Sequence, residues 1–444
     1  MSSDTPNTDP IEDRYRYRTG RSLSLFEAGR SVHAGAPKGA YYYPPYPLFM
    51  ERGEGCHLWC ADGHQYLDCA NHHTTQILGH NHPAVLQATR DQIDRGIALG
   101  AATGIETETA REIVQRVPSL ERIRFTNSGT EATLHAVRLA RGFSKKPKIA
   151  KFEGGYHGTH DGVEVSVAPP LDLAGASQAP RSVASAGGQS PGAPGEVVVL
   201  PYDDAAAVER LIESYRDELA CLIYDPKAGI LPQRREFARA VRQITRKHNI
   251  LLIFDEIVGY RMGPGGLQEY LGIEPDLSCF GKIVGGGFPV GAFGGRADIM
   301  DLFDNSQGPT GFFQSGTFSA HPVTMAAGLA TLQQLTPEAY AHLNSLGTRL
   351  GLGLTALFAR KQIAARAVIT GSVFSIHFTD QPLTDYRSLA QTDTERAHRV
   401  FLALLNQGYF LSQGLGMCAL STPMQADDID ALVEAVEQAL DQTG

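Results

Sequence analysis

Residues 123–131 read IRFTNSGTE, and the stretches that follow repeat its plan: PKIAKFEGGYHG at 147–158, EVVVLPYDD at 196–204, CLIYDPKAG at 221–229 and ILLIFDEIVGY at 250–260. Each is a short apolar run closed by a turn or an acid. Between them lie segments with helical spacing and length, at 132–143, 204–218 and 236–248. Strands that alternate with helices and are apolar on both faces predict a mainly parallel sheet covered by helices, an α/β fold. Such sheets place ligand chemistry just beyond the carboxyl ends of their strands. The acids and glycines that close these runs therefore stand where a site belongs.

Outward from that core, the first twenty or so residues mix Asp, Arg and Thr without periodicity and read as an exposed arm. GAPKGAYYYPPYP at 35–47 carries too much Pro and Gly for a helix, and its three consecutive tyrosines predict a segment lying on a surface. GCHLWCADGHQYLDC at 55–69 contains two strand-like runs around Asp62-Gly63, a hairpin signal. The Gly/Ser/Pro/Ala-rich stretch 165–196 is long for a loop, so it is either a mobile linker or a functional flap. Beyond 320 come helical stretches (322–335 and 337–360), one strand-like run, VITGSVFSIHF at 368–378, and a final helix at 426–440. The expected division is 1–70 as arm and part of a small domain, 71–320 as a large domain, and 321–444 as a smaller α+β domain. A length of 444 residues agrees with about two or three domains.

Composition narrows the function classes. A hydrophobic fraction of 42% against 20% charged excludes global disorder. Mean hydropathy is -0.18, and no apolar run approaches the ~18 residues a membrane span needs. A formal net charge of -9 is a poor electrostatic match to nucleic acid. The six cysteines lack paired, staple-like spacing, and the polar start from Met1 has no apolar signal segment; reduced thiols in the cytoplasm are expected. His72, His73, His80 and His82 cluster, but no Cys or acid completes a ligand set at usual spacing, so no metal is expected.

Three constellations carry chemistry. Asn127-Ser128-Gly129-Thr130-Glu131 joins a strand to a helix, and free amides at a helix N-terminus with hydroxyls nearby suit a phosphate. The same residues also suit an ordinary N-cap. Asp255-Glu256 closes the strand ILLIF, where a carboxylate can bind a ribose hydroxyl, a metal or a protonated ring nitrogen, or can simply cap. Lys282 lies among apolar and glycine residues, where desolvation lowers an ammonium's pKa toward nucleophilic use; the alternative is a lysine snorkelling from a loop. Gly154-Gly155-Tyr156-His157-Gly158 adds an aromatic on a glycine-hinged loop that could stack on a planar ligand.

Taken in order, these stretches resemble the class III pyridoxal-phosphate aminotransferases of fold type I. The matching motifs are NSGTEATLHAVRLAR, FEGGYHG, LLIFDEIVGYR, PDLSCFGKIVGGGFPVGAFGGR and SGTFSAHPVTMAAG, joined by RGEGCHLWCADGHQYLD upstream. The likeness runs from about residue 45 to the C-terminus. Within the class the chain is most similar to the glutamate-1-semialdehyde aminomutases and the β-amino acid (β-phenylalanine type) aminotransferases. The resemblance implies a large domain with a seven-stranded-type sheet plus a smaller α+β domain, and pyridoxal 5'-phosphate as cofactor. It implies that Lys282 forms the Schiff base and shuttles protons, and that Asp255 pairs with the pyridine nitrogen. Ser128, Gly129 and Thr130 would cradle the phosphate, Tyr156 and Ile257 would cover the two ring faces, and Thr317 would reach the phosphate across a homodimer interface.

Departures from the family pattern concern the substrate. Asp225 stands where the family usually has a glutamate before the proline. The two arginines that hold a substrate carboxylate in the β-amino acid enzymes fall on or next to Lys38 and within 412–417, where Leu415 takes the place of the second. Arg and Lys are not interchangeable for a bidentate carboxylate. With Tyr41, Tyr42, Tyr43, Tyr46, Phe49, Leu415 and Met417 as candidate walls, the pocket reads as more aromatic and apolar than that subgroup needs. The expected activity moves an amino group from an aryl or hydrophobic β-amino acid or amine to a keto acid, with an aminomutase of the glutamate-1-semialdehyde type as the alternative.

Overall fold

Seven strands between Arg122 and Gly295 form one sheet in the computed structural model, which describes residues 9–36, 38, 41–306 and 308–443. In chain order they are β1 (Arg122–Thr126), β2 (Lys148–Phe152), β3 (Val197–Leu200), β4 (Leu219–Tyr224), β5 (Leu251–Asp255), β6 (Leu277–Gly281) and β7 (Gly291–Gly295). Across the sheet the order is β1-β7-β6-β5-β4-β2-β3. Strand β7 runs against both its neighbours, while β5/β6, β4/β5, β2/β4 and β2/β3 are parallel. Every residue of β3 to β7 is buried, which is why these runs are apolar without alternation. On one face the helix Gly129–Ser144 packs Ala132, Ala136, Val137 and Leu139 into a common core with Ile149, Val199, Ile223 and Ile253. On another, the helix Arg235–Lys247 brings Phe237 to within 5.5 Å of Phe152 and 5.2 Å of Tyr202, ring centre to ring centre.

The chain divides into two compact units. The second, which holds this sheet, consists of Pro83–Tyr340 and Gln381–Gln391. Its 165–196 stretch is built rather than loose. Strands Gly175–Ala176 and Ala179–Pro180 pair in a small hairpin, Val165 bridges to Ala184, and Ser166 exchanges hydrogen bonds with Arg181 and Val183. Serine hydroxyls satisfy the backbone here in place of a regular ladder, so low complexity does not mean disorder.

The first unit consists of Met1–His82, Ala341–Asp380 and Thr392–Gly444. Here the expected exposed arm is corrected. Residues 1–8 lie outside the described residues, but Pro10–Arg18 and Gly20–Gly29 are helices. Asp9 caps the first by accepting the Ile11 N–H at 3.0 Å, with Pro10 at the opening position. Ile11 and Tyr15, four residues apart, are buried on one face, and the Tyr15 hydroxyl donates to the Tyr46 carbonyl at 2.8 Å. The charged residues around this sparse pair hid the periodicity.

Of the tyrosine segment 35–47, residues 37, 39 and 40 lie outside the described residues; Tyr43 and Tyr46 are buried, in keeping with a segment laid on a surface. The strands His57–Cys60 and Gln65–Asp68 pair antiparallel around Asp62-Gly63, as the hairpin signal requires. The single run expected at 368–378 is two strands, Arg366–Thr370 and Val373–His377, because Gly371 turns the chain with φ of 56°.

Candidate active site

Strand β1 is antiparallel to β7, and β7 to β6, so β1 has the same sense as the parallel strands. The carboxyl ends of β1, β2, β4, β5 and β6 therefore share one edge of the sheet. From that edge project, in order, the turn at 127–130, the loop 153–158, Asp225, Asp255 and Lys282.

Asp255 uses its two oxygens differently. Oδ1 accepts the Ile257 N–H at 3.1 Å, which caps the short helix Glu256–Gly259. Oδ2 meets His157 Nδ1 at 2.8 Å, with both side chains buried. The capping reading and the charge reading of the strand-end acid thus hold together. His157 is the residue to which sequence reasoning gave no role. Its Nε2 is buried with no hydrogen-bond partner among the described residues, an arrangement that costs about 1–3 kcal/mol when left unmet. The signal was present in the motif GYHG, but nothing in sequence says that an imidazole at 157 reaches a carboxylate at 255.

Lys282 follows β6 directly, in left-handed backbone with φ of 53°. For a non-glycine residue such a conformation stores about 1–3 kcal/mol of strain and clusters at functional sites. Burial pushes its amine down to about 8; Asp255 opposes that shift and Arg261 adds to it. A lysine so placed holds a usable fraction of neutral amine near neutral pH.

At the turn after β1, the Ser128 hydroxyl accepts the Glu131 N–H at 3.1 Å, and the Glu131 carboxylate returns to the Asn127 N–H at 2.9 Å. The capping reading is therefore real. It leaves the first-turn amides of the helix Gly129–Ser144 without intrahelical acceptors, at the positive end of the helix dipole. A Cβ added at Gly129 would lie 2.5 Å from Ile257 Cδ1, and one at Gly281 would lie 3.5 Å from Ile257 Cγ2. Ile257 thus sits between the helix start and the strand end that carries Lys282. The Thr130 hydroxyl accepts the Thr159 N–H at 3.4 Å.

Tyr156 is 52% exposed, and its N–H donates to Asp225 Oδ2 at 3.2 Å. Burial works to raise the Asp225 carboxyl, but Lys227, 3.1 Å away, and His157 hold it below its usual range. The shortened acid thereby anchors the aromatic loop. Thr317 lies on an exposed loop beside the turn at 127: a Cβ at Gly316 would lie 2.9 Å from Asn127 Nδ2, and Gln314 Nε2 donates to the Phe125 carbonyl at 3.1 Å.

Ser128, Gly129, Thr130, Tyr156, Asp255, Ile257, Lys282 and Thr317 all belong to the second unit. Lys38, Tyr43 and Leu415 belong to the first. Lys38 Nζ is 2.9 Å from His72 Nε2 and 4.9 Å from the centre of the Tyr41 ring. The Tyr43 hydroxyl is already engaged, 3.2 Å from that of Tyr15 and accepting the Leu48 N–H at 2.9 Å. Leu415 is fully buried in a tight turn.

A desolvated lysine, a buried carboxylate backed by an imidazole, a helix N-terminus suited to an anion, and an exposed aromatic and a branched aliphatic at the same sheet edge fit the aldehyde, ring nitrogen, phosphate and ring faces of pyridoxal phosphate. Fold and site together define a fold-type I pyridoxal-phosphate enzyme. The chain belongs to the class III aminotransferases, whose family model, described as Aminotransferase class-III, matches residues 39–440. It is 40% identical over 401 residues to a glutamate-1-semialdehyde 2,1-aminomutase 2 of Exiguobacterium sibiricum, covering 88% of each chain. An omega-transaminase from Sphaerobacter thermophilus has a similar structure, with a TM-score of 0.91, 40% identity, and coverage of 97% of this chain and 99% of that one. A β-phenylalanine aminotransferase from Variovorax paradoxus follows at a TM-score of 0.86 and 35% identity, with 96% of each chain covered. A transaminase with pyridoxal phosphate bound is 31% identical, with a TM-score of 0.89 over 96% of this chain and 98% of that one. The protein is a pyridoxal-phosphate-dependent aminotransferase of class III.

Proposed function

We propose that the protein moves an amino group between an aryl or hydrophobic β-amino acid, or amine, and a keto acid, with Lys282 as the covalent anchor of the cofactor. The observation that carries the reading is the burial-depressed amine of Lys282 on the same sheet edge as Asp255. Pyridoxal phosphate supplies an electron-withdrawing ring that lets a bond at the amine-bearing carbon break. Lys282, once displaced by the substrate amine, moves the proton at that carbon. Asp255 keeps a proton on the ring nitrogen, and His157 orients and balances Asp255. Ser128, Gly129 and Thr130 hold the phosphate, Tyr156 and Ile257 cover the ring faces, and Thr317 reaches the phosphate across a homodimer interface. Exposed Phe313 and Phe318, on the same loop as Thr317, support that interface, since large apolar side chains left at a surface mark association. A monomer is then inactive.

In this reading the unit Pro83–Tyr340 with Gln381–Gln391, close to the expected 71–320, is the cofactor-binding domain, and the remainder, close to 1–70 and 321–444, is the small domain. Lys38 is the cation this reading offers to a substrate carboxylate, while Tyr43 and Leu415, expected as apolar walls, are buried within the first unit. Six cysteines, all free and buried, support a reducing, cytoplasmic setting. No helix of the described residues is long and apolar enough to cross a membrane.

The second reading is an aminomutase, which returns the amino group to a neighbouring carbon of the same molecule. Relatives bearing the name glutamate-1-semialdehyde 2,1-aminomutase favour it, one from Methanocaldococcus jannaschii being 37% identical over 95% of this chain and 98% of its own length. One titration separates the two. Adding 3-amino-3-phenylpropanoate without an acceptor bleaches the visible band of the lysine-bound cofactor if the protein is a β-amino acid aminotransferase. An unchanged band with this compound, followed by turnover of an amino-aldehyde without any acceptor, makes it an aminomutase. Absence of any band with pyridoxal phosphate supplied overturns both.

A further inference from the structure

The loop Glu153–Gly158, which presents Tyr156 and His157, is held at nearly every residue by groups close to it in the fold. Lys151, wholly buried beneath it, donates to the Gly155 and Val165 carbonyls. The Gly154 N–H donates to the Ser166 carbonyl at 2.9 Å, and the Thr133 hydroxyl donates to the His157 carbonyl at 2.6 Å. One holder comes from far along the chain. Gln381–Gln391 is the only stretch of the second unit outside Pro83–Tyr340, and it carries Arg387. Arg387 Nε donates to Glu153 Oε2 at 2.8 Å and Nη2 to Oε1 at 3.0 Å, a two-pronged pair in which the Glu153 side chain is 4% exposed and that of Arg387 18%.

The rest of the guanidinium is turned to the 165–196 stretch. Nη1 donates to the Gly175 carbonyl at 2.9 Å and Nη2 to that of Ala174 at 3.2 Å. Neighbouring Tyr386 completes the attachment. Its hydroxyl donates to the Pro169 carbonyl at 2.8 Å, and its Cβ lies 2.6 Å from where a Cβ on Gly154 would be, at a φ of 78°. The short helix that carries both, Tyr386–Leu389, is fixed by a reciprocal cap between Asp385 and Ser388. One side chain thus joins the start of the loop to the hairpin that flanks it.

We propose that Arg387 is a positioning residue for the reaction: paired with Glu153, it sets the loop that aims Tyr156 and His157, while its remaining donors lock the 174–176 hairpin beside that loop. The inference rests on the assignment of Tyr156 to the cofactor ring and of His157 to Asp255. A planar fork that satisfies a carboxylate and two carbonyls at once fixes direction as well as distance. A lysine keeps the charge but not the fork, and a neutral partner at 153 loses the charge-assisted pair.

The test compares Arg387→Ala, Arg387→Lys and Glu153→Gln with the parent protein. Two quantities are read: the dissociation constant for pyridoxal phosphate by equilibrium dialysis, and the pH midpoint of the bound cofactor's visible band. Arg387→Ala and Glu153→Gln should each weaken cofactor binding by about tenfold or more and move the midpoint. Arg387→Lys should fall between them and the parent, and the double variant Arg387→Ala, Glu153→Gln should be little worse than either single change because the two act through one contact. If Arg387→Ala does not fold, the other two single variants decide. Unchanged affinity and midpoint, even with a lowered Tm, overturn the proposal and leave a purely structural pair. Borohydride trapping of the cofactor on the peptide containing Lys282 in the parent is the control. Its failure overturns the site assignment, whereas its success beside unchanged variants overturns only the role of Arg387.

Discussion

Replacing Asp255 with Asn should move the titration of Lys282 in a direction that only the folded site explains. An ordinary lysine amine, at 10.5, is about 0.1% neutral at pH 7.5, whereas one pushed down to about 8 is about a quarter neutral, a gain of about two hundredfold. Burial drives that shift, and Asp255 works against it by favouring the ammonium. Removing the carboxylate while keeping its shape should therefore lower the amine further. The assay is competitive acetylation of the cofactor-free protein from about pH 6 to about pH 11, with the Lys282 peptide quantified by mass spectrometry against the denatured chain. The parent should show a midpoint near 8, well below that of the denatured chain, and Asp255→Asn a midpoint lower still. A parent midpoint at 10.5 would refute the desolvation argument. A rise in the Asn variant would refute the pairing of the two groups.

Other expectations are more local. Gly129→Val should weaken cofactor affinity in dialysis by about tenfold or more, because its Cβ meets Ile257 Cδ1 at 2.5 Å, whereas Gly104→Ala, with open space around it, should change nothing there. Arg242→Ala removes two donors from Asp276, at 2.7 and 3.0 Å, and leaves it Arg296 Nη1 at 2.9 Å and the Leu252 N–H at 2.8 Å, so urea unfolding should register a loss of about 1.5–3 kcal/mol. Asp276 is held below its usual range by Arg242 against the pull of burial, so that stability should be present above the unfolded value of 3.8 and fade as pH falls through the folded one. Glu256 behaves oppositely: burial raises it from 4.5 to about 7, so its contribution is full below 4.5 and lost as pH rises through about 7. Glu256→Gln should flatten the pH dependence of stability in that window, a slope worth at most about 3 kcal/mol.

Much of this was written in local sequence. The buried strands announced themselves as unbroken apolar runs, and the turn at 127–130, the acid at 255 and the lysine at 282 stood at their ends. The N-terminal helices were not legible, because two buried residues, Ile11 and Tyr15, carry the helix among charged neighbours. The hairpin at 371 was hidden by a run that stays apolar through its own turn. His157 looked like loop chemistry, and Arg387 drew no notice, for the same reason: each matters through a partner at long range, Asp255 in one case and Glu153 in the other.

Periodicity, turn chemistry and motif order are local properties; they determined the α/β class and, through the family resemblance the motifs carry, the cofactor. Tertiary structure alone decided what the site residues are worth. It set how far burial lowers Lys282, which oxygen of Asp255 caps a helix and which meets an imidazole, and that a low-complexity stretch is held by Ser166, Tyr386 and Arg387. Desolvation and long-range hydrogen bonds depend on what surrounds a group in three dimensions, and the order of residues along the chain does not carry that information.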